Sequence, residues 1–179
     1  QRGPLLLTHW GFSGPAVLKL SAWAARELHH CGYKAQIIIR WLASSTQEEI
    51  YQHFLQQKQA HPLQALPALL PRNLWTKLLS QIPIDPATPM GKLSHKSLAQ
   101  LSAKLHADRY PLDGKTTYKQ EFVTAGGVDL KEIDCKTMQS KIIPGLFFAG
   151  EILNIDGITG GFNFQNAWTT AWLAANAME

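Results

Sequence analysis

The sequence predicts a mixed fold of the α+β or α/β class, in which a small all-helical segment is inserted between strand-containing regions. Three observations support this class. The first 45 residues follow the pattern strand, helix, strand; the middle of the chain repeats leucine at helical spacing between prolines; and the end combines short apolar strands, glycines and a long apolar helix. Because 45% of the 179 residues are hydrophobic, the chain is able to bury one ordinary core or two small ones.

The first 45 residues predict a strand, a helix and a second strand. PLLLTHWG is a short apolar run with a polar end, and Ser13 stands where a helix cap would precede Pro15. Apolar residues recur near the helical spacing through PAVLKLSAWAARELHH, and Gly32 follows as a stop signal. The run YKAQIIIRWL is β-branched and apolar, which is typical of a strand.

Residues 46–110 predict a small all-helical module. Thr46 and Glu49 have the spacing of a capping box, and the amphipathic run QEEIYQHFLQQKQ follows them. Two further helices are expected in RNLWTKLLSQI and, after Ser94, in HKSLAQLSAKLHA. Prolines break the segment into these short pieces, at positions 62, 67, 71, 83, 86 and 89. The module therefore has the character of an insertion.

The rest of the chain predicts short strands and one long helix. TTYKQEFVTAGGV alternates as a strand does, and residues 146–149 form a second apolar run after a Pro-Gly turn. A helix is expected from about Asn163 to Met178. It is apolar around most of its circumference, so we expect it to be buried against a sheet, with Trp168 and Trp172 in the core.

Charge and cysteine usage argue against several classes of function. Lys and Arg outnumber Asp and Glu by 17 to 13, but the basic residues are scattered, which argues against a nucleic-acid-binding surface. Cys31 and Cys135 are far apart and have no ligand spacing, so neither a metal site nor a disulfide framework is expected, and a reducing cytoplasm fits best. No apolar run approaches the roughly 20 residues that span a bilayer. The missing initiator Met suggests a piece of a longer protein.

The stretch FFAGEILNIDGITGGFN has the features of a ligand site. A strand ending at Ala149 would deliver Gly150 and Glu151 to the carboxyl edge of a sheet, where α/β folds bind ligands. The glycines before the last helix would leave its first amides facing outward, favouring a phosphate or an electron-accepting ring. Glu151 would repel a phosphate but accept hydrogen bonds from sugar or ribityl hydroxyls. The other interpretation is a tight connection only, since GITGGF lacks the GxGxxG spacing.

Four stretches identify a family resemblance. LLLTHWGFSGPAVLKLS, TAGGVDLKEID, TMQSK and PGLFFAGEILNIDGITGGFNFQNAWTTAW occur in this order and frame the helical module. Together they closely resemble the aminoacetone-oxidase-like (BaiN/YhiN-type) family of FAD-dependent oxidoreductases. The resemblance covers most of the chain.

The resemblance implies a fragment of a three-part flavoprotein. Residues 1–45 and 111–125 would belong to a β-rich domain, 46–110 to its inserted helical domain, and 126–179 to the closing strand and helix of a Rossmann-type FAD domain. The amino-terminal GxGxxG segment of the family does not occur in this sequence. We therefore expect the isolated chain to be inactive and to bind FAD poorly.

The resemblance also assigns the cofactor residues. Gly150 and Glu151 would face the ribityl or diphosphate part of FAD, and the start of the last helix would lie beside the flavin ring, where its dipole stabilises negative charge on the reduced cofactor. The residues expected at that helix start are Thr159, Gly160, Gly161, Phe162 and Asn163. Gly126 and Gly127 match a further family motif. No catalytic side chain is assigned, because the flavin carries the reaction.

The expected partners follow from the same resemblance. They are a small-molecule substrate, or NAD(P)H as electron donor, and the remainder of the chain's own FAD domain; no membrane partner is expected. Self-association through apolar surface left uncovered is also expected. His9 is interpreted as a polar strand-end residue, and Asp156 as a turn residue rather than a catalytic group.

A different class of function stays open at this point. Residues 46–110 would then form a non-catalytic helical module that recognises a protein or a nucleic acid. Salt-sensitive binding of nucleic acid by this segment would favour the module, whereas an upstream GxGxxG segment would favour the oxidoreductase.

Overall fold

A computed structural model describes residues 1–65, 70–115 and 123–178. The chain forms two compact units. The framework unit comprises Gln1–Lys34 and Gly114–Glu179, and the helical unit comprises Ala35–Asp113. The strand predicted from TTYKQEFVTAGGV falls mainly on residues outside the described ranges.

The regular elements appear in the following order, with three short 3₁₀ turns among them. They are β1 (Leu6–Leu7), β2 (Phe12–Ser13), α1 (Pro15–Trp23), α2 (Ala25–His30), β3 (Lys34–Ile39), α3 (Gln47–Gln56), α4 (Arg72–Leu79), a 3₁₀ turn (Met90–Lys92), α5 (His95–His106), β4 (Asp108–Asp113), a 3₁₀ turn (Leu130–Glu132), β5 (Ile133–Asp134), β6 (Gln139–Ser140), a 3₁₀ turn (Gly150–Ile152) and α6 (Phe162–Ala177). The sheets of the described residues are the two-stranded pairs β1–β2, β3–β4 and β5–β6. A mixed α/β chain with small sheets is therefore confirmed.

The helical unit has a close-packed core. Its buried side chains come from α3, α4, α5 and the segments between them: Ile50, Phe54, Ala65, Leu70, Trp75, Leu78, Leu79, Ile82, Met90, Leu98, Leu101 and Leu105. The Trp75 ring stacks on Phe54 with 6.1 Å between centroids, and its Nε1 donates a hydrogen bond to the Pro62 carbonyl at 2.9 Å. Burial of each large apolar side chain contributes about 1.5–3 kcal/mol, so this unit has its own source of stability.

A buried carboxylate joins α5 and β4 to the segment that precedes α3. Asp108 accepts hydrogen bonds from Trp41 Nε1 at 2.9 Å, Tyr110 Oη at 2.6 Å and Lys104 Nζ at 2.8 Å. Burial raises the pKa of Asp108, but the hydrogen bonds from Lys104, Tyr110 and Trp41 outweigh it and hold the pKa below its ordinary value. The charged form of Asp108 is thus the one that fits this network.

The start of the framework unit differs from the sequence prediction in two ways. Gly14 at φ 94°, rather than Ser13, occupies the cap position of α1, and no side chain of the described residues caps this helix. Ser13 instead pairs with Leu6 in the β1–β2 ladder. The predicted single helix is also divided, because Ala24 has φ −97° and ψ 12° and separates α1 from α2.

The last helix and the strand before it also require corrections. The predicted strand at 146–149 is reduced to one antiparallel bridge between Phe147 and Gln139, because no adjacent strand in the described residues extends the ladder. The helix is confirmed, but the prediction that Trp168 and Trp172 lie in the core is wrong. Together with Phe164 they form an exposed stripe, each side chain being 66–68% exposed.

Candidate functional site

The turn that carries Glu151 is fixed against α6. The amide of Gly150 donates a hydrogen bond to Thr170 Oγ1 at 2.9 Å, and that buried hydroxyl donates in turn to the Asn166 carbonyl at 2.7 Å. Gly150 has φ 79°, and a Cβ there would lie 3.8 Å from that of Ala167. The backbone before Glu151 therefore lies directly on the middle of α6.

The Glu151 side chain is exposed, and one of its two carboxylate oxygens accepts a hydrogen bond. Its Oε1 accepts a hydrogen bond from the amide of Thr124 at 2.9 Å, across 27 residues of sequence. No group in the described ranges binds Oε2. A carboxylate held by one oxygen keeps the other available to accept hydrogen bonds from hydroxyl groups.

The predicted motif at Gly126 and Gly127 packs beside the Glu151 turn. The amide of Val128 donates to the Ile152 carbonyl at 2.9 Å. A Cβ on Gly127 would lie 2.3 Å from the Ile152 carbonyl oxygen, so only glycine permits this approach. Gly126 has φ 109° and nothing within 4 Å of a Cβ position, so its backbone borders open space.

The start of α6 is built from glycine and has no side-chain cap among the described residues. Gly160 and Gly161 have φ values of 142° and 85°, which favour glycine. Asn163 holds the preceding loop in place: its Oδ1 accepts from the amide of Gly157 at 2.7 Å, and its Nδ2 donates to the Gly157 carbonyl at 3.0 Å. In the described part of the chain, no acceptor binds the amides of Gly160, Gly161, Phe162 and Asn163.

These unpaired donors give the helix start a positive electrostatic character. A helix dipole places about half a positive charge at its amino end, and no acidic residue occupies the first turn of α6 to neutralise it. Thr159, Gly160, Gly161 and Phe162 are all exposed. An electron-rich oxygen or nitrogen is the chemical group that such a position stabilises.

A cleft of about 580 Å³ adjoins the helix start. Ala22, Trp23, Ala25, Arg26, Glu27, Asp156, Gly157, Ile158 and Phe162 line it. Arg26 of α2 donates to Asn154 Oδ1 at 2.5 Å and lies 3.8 Å from Asp156, so it connects α2 to the loop that leads into α6. The cleft thus combines aromatic surface with one guanidinium and two carboxylates, those of Glu27 and Asp156.

The predicted site residues are only partly gathered in this cleft. Phe162 lines it and Gly160, Gly161 and Asn163 adjoin it in sequence, whereas Glu151 is not among the lining residues. Trp23 and Arg26 were not among the site residues predicted from the sequence, and Asp156 was interpreted as a turn residue. No local pattern marks Arg26, because its hydrogen-bond partner is 128 residues away.

Within the described ranges there is neither a cluster of metal-binding side chains nor a helix suited to a membrane. No group of three or more His, Cys, Asp or Glu side chains is arranged to hold a metal ion. None of the helices has both the length and the apolar character needed to cross a membrane.

Similarity to known proteins shows the family to which the chain belongs. Ribosomal RNA dihydrouridine synthases of Escherichia coli (strain K12) and Haemophilus influenzae are 35% and 36% identical over 97% and 96% of this chain. A 3-dehydro-bile acid delta(4,6)-reductase of Clostridium scindens is 27% identical over 98% of it. The chain spans 41–44% of the length of these relatives, all of which are named as enzymes. Residues 1–123 match the family described as the HI0933-like protein barrel and H2TH domain. Since that match covers more than half of the sequence, the chain belongs to the HI0933-like family.

Proposed function

We propose that the whole protein is an FAD-dependent oxidoreductase that adds hydrogen across a carbon–carbon double bond conjugated to a carbonyl group. The observation that carries the proposal is the uncapped, glycine-built start of α6 beside the cleft. The names of the relatives support the same chemistry. Dihydrouridine is uridine with its ring double bond saturated, and a delta(4,6)-reductase saturates double bonds of a bile acid.

The residues at the start of α6 suit a flavin better than a phosphate. Four unpaired amides and the helix dipole would stabilise negative charge on the flavin ring. The free oxygen of Glu151 would accept a hydrogen bond from a ribityl hydroxyl, whereas it would repel a phosphate. Bound FAD would supply the reducing electrons, with NAD(P)H as their proposed source.

The cleft residues would then act on the substrate. Trp23 and Phe162 offer aromatic faces on which a planar conjugated ring packs. Arg26 is the one Lys or Arg among the described lining residues, and its guanidinium would stabilise charge that develops on the carbonyl oxygen as the double bond is saturated. Asp156 and Asn154 hold that guanidinium in place.

Uridine in ribosomal RNA is the leading candidate for the substrate. It is the substrate class named for the two relatives at 35% and 36% identity, whereas the bile acid reductase is 27% identical. This proposal departs from the expectation, based on scattered basic residues, that nucleic acid is not a partner. Incubation of the whole protein with NADPH and ribosomal RNA lacking dihydrouridine should generate dihydrouridine, detected by mass spectrometry of the digested nucleosides. If the RNA is unchanged but a conjugated steroid ketone is reduced, the substrate proposal is wrong.

The cofactor contact is tested separately from the substrate. In the whole protein, Glu151→Ala should lower the FAD retained per chain, because the variant loses the carboxylate that grips the polyol. Glu132→Ala is the matched control, since it removes an exposed carboxylate of the same unit that lies elsewhere on the surface. Flavin content is read from visible absorbance after gel filtration. Equal flavin content per chain in the two variants would show that Glu151 does not bind the cofactor.

The rest of the FAD domain is proposed as the partner of α6. Phe164, Trp168 and Trp172 form an apolar stripe that a sheet of that domain would cover. On this basis the 179-residue chain alone should bind FAD poorly and be inactive.

A further inference from the structure

The carboxylates of the helical unit are largely used within the unit itself. Glu49 completes the capping box of α3, and Glu48 Oε1 accepts from Gln52 Nε2 at 2.6 Å. Asp85 closes a turn by accepting from Ala87 and Thr88. These bonds hold the carboxylates on their own segments, and the unit carries eight Lys or Arg against five Asp or Glu.

The basic side chains of the same unit remain mostly unpaired. Lys104 binds Asp108, and Arg109 donates to Gln36 Oε1 at 2.7 Å. Among the residues that the structure describes, the other six make no ion pair: Arg40, Lys58, Arg72, Lys77, Lys92 and Lys96. The positive charges of these six side chains are therefore not balanced by ion pairs with described residues.

Three of these lysines belong to segments that pack on one another or follow directly in sequence. The segment after α3 packs on the 3₁₀ turn before α5, since the amides of Gly91 and Met90 donate to the carbonyls of Lys58 at 3.0 Å and Ala60 at 2.8 Å. A Cβ on Gly91 would lie 2.9 Å from the Lys58 carbonyl oxygen, so glycine is needed for this approach. Lys92 and Lys96 then flank the start of α5, and no acidic residue lies in its first turn. We call Lys58, Lys92 and Lys96 the basic surface.

An aromatic pair borders this surface. Tyr51 Oη and His95 Nδ1 are 2.6 Å apart, and together with Lys96 they line an open cleft of about 570 Å³. Glu48 is the one carboxylate among the described residues that line this cleft. Rings beside cations suit unstacked bases whose phosphates lie on the lysines.

We propose that the basic surface binds the phosphate backbone of RNA, with Tyr51 and His95 placed to contact an unstacked base. The proposal rests on the proposed action on ribosomal RNA and identifies the surface that would hold that substrate. An anionic membrane suits the surface less well, because the strength of binding at a membrane surface increases with the apolar area that is inserted, in addition to the charge. Of the exposed large hydrophobic residues described in the helical unit, only Ile38 and Leu63 are present, and neither adjoins these lysines in sequence.

The test compares two charge-neutralising pairs in the whole protein. The probe is a fluorescein-labelled RNA hairpin with a uridine-rich loop, titrated by fluorescence anisotropy at several salt concentrations. The double substitution Lys58→Gln and Lys92→Gln should make the negative slope of log K (the association constant for RNA) against log salt concentration less steep by about 2. The reason is that each lysine–phosphate contact releases about one counterion. Lys131→Gln with Lys136→Gln is the control, with the same change in net charge on exposed lysines of the framework unit. Circular dichroism verifies that both variants are folded.

The outcomes separate this inference from the proposed function. A reduced slope for the first pair alone supports the basic surface, whereas equal slopes for both pairs, or binding to phosphatidylglycerol vesicles in place of RNA, overturn it. If the Lys58→Gln, Lys92→Gln variant still forms dihydrouridine in ribosomal RNA and its RNA binding has the wild-type salt dependence, the proposed RNA-binding surface is wrong but the proposed activity is supported. If the first pair of substitutions weakens RNA binding, but the wild-type protein forms no dihydrouridine with either NADH or NADPH, the proposed activity is wrong and the RNA-binding surface is supported.

Discussion

The helical unit and the framework unit differ in how completely each buries its apolar side chains. The helical unit encloses a core that includes Phe54 and Trp75, both with no exposed surface. In the framework unit the buried cluster consists of Ile133, Met138, Leu153 and Ala174, while Trp10, Trp23, Trp168 and Trp172 are 57–69% exposed. The helical unit therefore supplies its own core, whereas the framework unit leaves large apolar side chains exposed.

The largest expected effect comes from testing this difference with one tryptophan in each unit. Trp75→Ala should destabilise the helical unit by about 3–5 kcal/mol, because it leaves a cavity and removes the hydrogen bond to Pro62. Trp168→Ala in the same 179-residue chain should change stability by less than about 0.5 kcal/mol, because the side chain is exposed. Urea unfolding followed by circular dichroism measures both. Similar losses for the two variants would contradict the contrast between the units.

The surface stripe on α6 also predicts opposite behaviour of the two variants in solution. Trp168→Ala should reduce any self-association of the isolated chain, since it removes part of the exposed apolar stripe. Trp75→Ala should not reduce it. Sedimentation velocity at several concentrations decides between these outcomes.

The second effect is the contribution of the buried carboxylate in the helical unit. Asp108→Asn should cost about 2 kcal/mol, because it weakens charge-assisted hydrogen bonds from Lys104, Tyr110 and Trp41. Since the folded-state pKa of Asp108 lies below its ordinary value of 3.8, its contribution is fully present above that value and is lost as the pH falls through the folded-state pKa.

The measurement is the free energy of unfolding as a function of pH. The wild-type chain should lose part of its stability below pH 4, and Asp108→Asn should flatten that part of the profile. Glu48→Gln is the control, as an exposed carboxylate of the same unit that accepts a single side-chain hydrogen bond, from Gln52. Identical acid profiles for wild type and Asp108→Asn would show that this network does not stabilise the charged carboxylate.

The same division explains what the sequence was able to predict. The helices of the helical unit follow from local signals, namely the capping residues Thr46 and Ser94 and the leucine spacing of α5, and the structure confirms them. The framework unit depends on contacts distant in sequence. The bond from Arg26 to Asn154 leaves no local pattern. The apolar run at 146–149 has the composition of a strand, but strand formation also needs an adjacent strand, which composition does not reveal.

The candidate site shows the same limit at shorter range. The glycines before α6 and the absence of a capping side chain are visible in GITGGFN, so the exposed helix start was predictable. The hydrogen bond from Thr124 to Glu151 and the close approach of Gly127 to Ile152 were not predictable, because they depend on how two segments distant in sequence pack together.

The smallest expected effect concerns two residues that the sequence presents as equivalent helix caps. Thr46→Ala should destabilise the helical unit by about 1 kcal/mol, because Thr46 Oγ1 accepts from the Glu49 amide at 3.2 Å and the Glu49 carboxylate accepts from the Thr46 amide at 2.7 Å. Ser13→Ala should have almost no effect, since Ser13 lies in β2 and Gly14 holds the cap position of α1. Chemical denaturation of both variants gives the comparison. An equal loss of stability in Ser13→Ala and Thr46→Ala would contradict this prediction. It would mean that α1 begins one residue earlier in solution and that the Ser13 hydroxyl caps it, as the sequence pattern suggests.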